Sequence, residues 1–96
     1  MITVLACLKA LPGKETELAE ICAQLANEVR TKEEGNLMYI AHITANDPTE
    51  IIFVEKYKDE QARINHRNSA HFKKAGCRFK DLLAAPLQIK ILNELE

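Results

Sequence analysis

The side chains best suited to hold or move a proton lie in the second half of the chain: Glu55, His66 and His71. Glu55 belongs to the run Ile51-Ile52-Phe53-Val54-Glu55-Lys56-Tyr57, whose composition reads as a strand. Strand alternation puts Glu55 on one face with Phe53 and Tyr57, and Lys56 on the other with Val54. A carboxylate on an aromatic face is a candidate for a perturbed pKa; the competing reading is an edge glutamate in a surface ion pair. His66 shares a helical stripe with Ala62, Ser69 and Ala70, the small-residue side expected to pack on a sheet. Its imidazole there could act as a general base near neutral pH, oriented by Glu55 if the two meet across the helix-sheet gap. The plainer alternative is a hydrogen-bonded histidine that ties helix to sheet.

Other groups are weaker candidates. On one continuous helix His66 and His71 would point about 140° apart, so a shared metal is not expected. Tyr39 could line a pocket or simply fill core. Cys7, Cys22 and Cys77 form no CxxC pair and are odd in number, which suggests reduced thiols acting as small hydrophobes. No phosphate-binding glycine loop, GxSxG elbow, dinucleotide fingerprint or cysteine-histidine metal spacing occurs. If the chain is an enzyme, it is expected to work without a cofactor or metal.

The elements that must position these residues follow from periodicity. Ile2 to Leu8 reads as a buried strand, broken at Leu11-Pro12-Gly13. Leu18, Ile21, Cys22, Leu25 and Val29 then form one apolar stripe, predicting a helix from about residue 15 to about residue 31. Glu34-Gly35 ends it. Strands 37 to 44 and 51 to 57 follow, separated by the turn Ala45-Asn46-Asp47-Pro48, and should pair as a hairpin. Asp59 is a plausible N-cap for a helix from Glu60 to about Lys74, with Gly76 as its interruption, a short helix over 78 to 83, and a last strand from Leu87 to Ile91. The order βαββαβ predicts an α+β, ferredoxin-like antiparallel sheet with both helices on one face. Its other face would be apolar, and a second copy of the chain is the simplest cover.

Charge and length narrow the possible partners. The 96 residues suit a single domain, and 13 basic against 14 acidic side chains give a net charge of -1, which points to neither nucleic acid nor an anionic membrane. The basic stretch from His66 to Lys80 is interleaved with apolar residues and reads as a solvated helix face. The chain opens on a strand pattern, with no leader and no apolar run near the roughly 20 residues a membrane span needs, so a cytoplasmic location is expected.

Four segments in succession resemble the antibiotic biosynthesis monooxygenase family, especially the bacterial branch holding quinol monooxygenases and the isomerase of phosphorylated autoinducer. They are Glu33-Glu34-Gly35-Asn36-Leu37-Met38-Tyr39, Asn46-Asp47-Pro48, Phe53 to Ala62, and His66-Arg67-Asn68-Ser69-Ala70-His71-Phe72. The resemblance implies a dimeric α+β barrel with one cavity per subunit, and oxidation of a quinol or hydroxylated aromatic by dioxygen without metal, flavin or haem. It further implies Glu55 and His66 as the catalytic pair, with Asn36, Tyr39, Phe53 and His71 lining or closing the substrate cavity. Haem-degrading relatives carry a tryptophan and an axial histidine on the second helix. This chain has no tryptophan, and Gly76 stands about where that histidine would be.

Three expectations from different classes result. The first is a cofactor-independent monooxygenase, favoured by a Glu55-His66 pair facing a cavity. The second is an isomerase of a small phosphorylated sugar, which needs Arg67, Lys73 or Arg78 turned into that cavity. The third is a non-enzymatic dimeric binding or stress-response module, favoured if side chains fill the cavity.

Overall fold

The computed structural model describes residues 1–95. Strand β1 (Ile2–Lys9) leads through Gly13, whose positive φ of 85° suits a residue without a Cβ, into helix α1 (Glu15–Lys32). The predicted stripe of α1 is its buried face: Leu18, Ile21, Cys22, Leu25 and Val29, joined by Ala26. Strands β2 (Asn36–Thr44) and β3 (Asp47–Tyr57) form the hairpin, and β4 (Gln88–Leu92) closes the sheet. The order β2-β3-β1-β4 with every pairing antiparallel is the ferredoxin-like arrangement. Among the described residues no helix is long and apolar enough to cross a membrane.

Two boundaries depart from expectation. The hairpin turn is only Ala45-Asn46, and β3 begins at Asp47, because Asp47 pairs with Thr44 and its carboxylate also holds Thr49. More consequential is the second helical region, which is two helices rather than one. Helix α2 (Glu60–Arg67) stops at Asn68, and α3 (Ala70–Phe79) starts afresh and runs through Gly76. Ser69 makes the break. Its hydroxyl accepts from the Phe72 amide and donates to the His66 carbonyl, capping one helix while closing the other. A glycine inside a helix costs only about 1 kcal/mol, so packing of Ala75 and Phe79 carries α3 past Gly76. The expected helix over 78 to 83 reduces to the end of α3 and a turn.

The core lies between α1, α3 and the inner face of the sheet, where Ala6, Leu8, Tyr39, Ile51 and Phe53 are buried. At the other end of the sheet Val4, Tyr57 and Ala62 form a smaller cluster. There the turn before β2 crosses α2 very closely. A Cβ added to Gly35 would stand 2.5 Å from the Cβ of Ala62, so only glycine permits the approach.

Candidate active site

A cavity of about 220 Å³ opens between sheet and helices. Val4, Ala6 and Leu8 of β1, Tyr39 of β2, and Phe53 and Glu55 of β3 form its floor. Leu25, His66, Phe72 and Phe79 form the helical wall, with Leu87 and Ile89 on the β4 side. Arg63 and Arg67 complete it. Ile89 pairs with Ala6 and so faces the helical side of the sheet, yet it is 53% exposed because the helices do not cover β4.

The alternation along β3 places Glu55 inward with Phe53 and Tyr57, as predicted. Its Oε1 accepts a 2.7 Å hydrogen bond from the Tyr57 hydroxyl. Burial raises the Glu55 carboxyl above its ordinary value, and neither that bond nor nearby His66 offsets the effect. The Tyr39 and Tyr57 hydroxyls are likewise pushed upward, first by burial and then by the charge of Glu55, so both stay protonated.

His66 is buried among aromatic rings, with centroids 4.7 Å from Phe72, 5.1 Å from Tyr39 and 5.5 Å from Tyr57. The carboxylate that orients it is not Glu55. His66 Nδ1 lies 2.9 Å from Oε2 of Glu33, at the C-cap of α1, while Glu55 is committed to Tyr57. Glu33 also receives His71, whose Nε2 lies 2.5 Å from the same oxygen. Burial raises the Glu33 carboxyl, but the bonds and charges of the two imidazoles outweigh it and leave its pKa below the ordinary value. A Glu33 that is ionised near neutrality favours the Nδ1–H tautomer of His66. His66 Nε2 then carries the lone pair, and it has no hydrogen-bond partner among the described residues.

Two expectations are corrected here. The 140° separation of His66 and His71 assumed one helix, and the break at Ser69 instead lets both rings converge on Glu33. Together the three side chains offer three possible metal-ligand atoms within 4.8 Å of one another. The 2.9 Å separation of His66 from Glu33 is nevertheless that of a charge-assisted hydrogen bond, and His71 stands closer still. Donors around a tetrahedral ion would stand roughly 3.3 Å apart, the edge set by metal-ligand bonds of about 2 Å. Second, neither Asn36 nor His71 is part of the cavity wall. Asn36 fastens an irregularity in β2, its Nδ2 donating to the carbonyls of Met38 and Lys56. His71 lines a separate polar depression together with Glu33 and Ser69.

Sequence reasoning missed Glu33 as a functional residue, although it stands in the quoted Glu33-Glu34-Gly35 motif. The available signal was topological: the turn entering β2 must lie beside the start of α2, because Asn36 pairs with Tyr57. The free thiols take no part: Cys22 is buried in the core, where burial pushes its pKa up to about 12.

Known proteins share this architecture and sequence. The family model for antibiotic biosynthesis monooxygenase matches residues 1–76. The chain is 34% identical over 89 residues to the "Putative monooxygenase YcnE" of Bacillus subtilis, covering 93% of each. It superposes on PA3566 from Pseudomonas aeruginosa with a TM-score of 0.92 at 27% identity, covering 99% of this chain and 94% of that one. A conserved protein from Methanosarcina mazei Go1 gives a TM-score of 0.88 at 29% identity, covering 97% and 91%. At the level of the family these matches support a general monooxygenase-like function. The chain belongs to the antibiotic biosynthesis monooxygenase family.

Proposed function

We propose that the chain oxidises a small quinol or hydroxylated aromatic with dioxygen, using His66 as general base. The observation that carries this reading is the imidazole on the wall of an aromatic cavity, held at Nδ1 by Glu33 and with no partner at Nε2 among the described residues. Nε2 takes the phenolic proton, Glu33 balances the imidazolium, and the electron-rich anion reduces dioxygen. In the net reaction the substrate as a whole loses two hydrogens while one ring carbon gains an oxygen atom, and the second oxygen leaves with those hydrogens as water. The substrate supplies the electrons, so this reading calls for no resident cofactor. A cavity of about 220 Å³ falls below the roughly 300–1,000 Å³ of common ligand pockets and favours a one- or two-ring compound. The test is oxygen uptake with naphthoquinols and catechols, corrected for their spontaneous oxidation. General-base loss in His66→Ala should lower the rate by about 10²–10⁴-fold. Unchanged turnover in both His66→Ala and His66→Gln would overturn the assignment.

One observation favours a second reading, an isomerase of a small phosphorylated compound: Arg67 does reach the cavity, whereas Lys73 and Arg78 are not among its lining residues. Sugar phosphates that bind while naphthoquinols neither turn over nor compete would support it. The open cavity removes the condition that favoured a non-enzymatic module.

We also propose pairing with a second copy through the outer sheet face. That face carries the exposed Ile40 and Leu92 beside the half-buried Leu5, Ile52 and Val54. Sedimentation of the wild type and of Val54→Glu, whose charge would oppose pairing, tests it; a wild-type monomer at micromolar concentration excludes it.

A further inference from the structure

We propose that the aromatic substrate carries an anionic substituent, a carboxylate next to its oxidised hydroxyl, which Arg67 receives. This rests on the monooxygenase reading and narrows its substrate class. Residues 63, 66 and 67 stand at i, i+3 and i+4 on α2, so the base and two guanidinium groups share one helical face. All three line the cavity.

Arg67 is exposed, so its unpaired charge stands at the rim of the cavity, open to water and to a bound ligand alike. Arg63 is committed to Glu60 through contacts of 3.1 and 2.5 Å, but Arg67 makes no ion pair among the described residues. Among the described residues the one carboxyl on the cavity wall is Glu55, already occupied by Tyr57 and buried where ionisation is opposed. The remainder of the wall is aliphatic and aromatic. A ring bearing only hydroxyl groups would leave this guanidinium to water and gain nothing from it. A ring whose carboxylate lies beside the hydroxyl would answer it while keeping that hydroxyl at His66 Nε2. Planar guanidinium recognises a carboxylate through paired, charge-assisted bonds, which lysine cannot reproduce.

The test uses matched probes that do not need to turn over: 1-hydroxy-2-naphthoate against its neutral analogue 1-hydroxy-2-naphthamide, titrated calorimetrically into the full chain. The acid should bind at least about tenfold more tightly, the scale of one charge-assisted contact. That preference should shrink toward unity in Arg67→Ala, recover only in part in Arg67→Lys, and weaken with added salt. Equal affinities for the two probes, or a preference that survives Arg67→Ala, would overturn the proposal. Oxygen uptake with 1,4-dihydroxynaphthalene and its 2-carboxylate then separates the two levels. Catalysed uptake without preference for the acid sinks the substrate class alone. Selective binding of the acid without catalysed uptake of either quinol sinks the monooxygenase reading and leaves the anion site standing.

Discussion

Two glutamates near His66, the half-buried Glu33 and the buried Glu55, are driven in opposite directions. Glu33 accepts from two imidazoles at a junction of three elements, and its carboxyl is held below the ordinary value. Glu55 has a single neutral donor, the Tyr57 hydroxyl, on an aromatic wall, and its carboxyl is held above it. Burial opposes ionisation at both positions; the number and charge of the donors decide the outcome. One carboxylate can therefore stabilise a cationic histidine, while ionisation of the other is opposed at the cavity wall.

The largest expected effect comes from removing that contrast at Glu33. Glu33→Gln keeps the side chain's shape but not its charge, leaving His66 free to take the other tautomer and its imidazolium without support. Catalysed oxygen uptake should fall on the order of 10²-fold or more, whereas Glu55→Gln should lose much less; equal losses would erase the distinction between the two. Next in size is Tyr57→Phe, which deprives Glu55 of its donor in a buried site. Urea unfolding should show a loss of about 1–3 kcal/mol.

A subtler effect is the pH dependence of stability, with opposite signs at the two sites. The folded pKa of Glu33 lies below its ordinary 4.5, so its contribution is present above that value and fades as the pH falls through the folded pKa. The folded pKa of Glu55 lies above 4.5, so the folded state there holds the extra proton, and stability is lost as the pH rises from 4.5 through the folded value. Denaturation midpoints from pH 3 to 8 should therefore show the acid limb flattened in Glu33→Gln and the upper limb flattened in Glu55→Gln. The same limb flattened by both variants would contradict the assignment. The smallest effect is expected at the Lys56–Glu94 ion pair on the surface, where Lys56→Ala should leave the denaturation midpoint almost unchanged at either pH extreme.

What was legible in the chain was local. The stripe of α1 and the alternation of β3 follow from spacing alone, so the inward placement of Glu55, Phe53 and Tyr57 could be read without coordinates. The Ser69 break was written locally too, as a serine three residues before the amide it caps. The apolar pattern on both sides hid it, and Gly76, the more conspicuous breaker, was tolerated. Glu33 was out of reach because it meets its partners across 33 and 38 residues. No periodicity reports such a contact; it depends on strand register and on the break between two helices. Asn36 failed for the converse reason, since a polar side chain at a strand entrance serves its own backbone as readily as a ligand.

The contact of Gly35 with Ala62 means that positions 27 apart in the chain share room for one methyl group. Their substitutions are therefore not independent. Gly35→Ala alone should lever the Glu33 turn away from α2, while the exchange Gly35→Ala with Ala62→Gly should restore most of the fit, a strongly non-additive pair. Through generations of relatives, the two sites would be expected to trade that methyl rather than gain a second, so their joint variation would record how closely the histidine and its carboxylate must be held together.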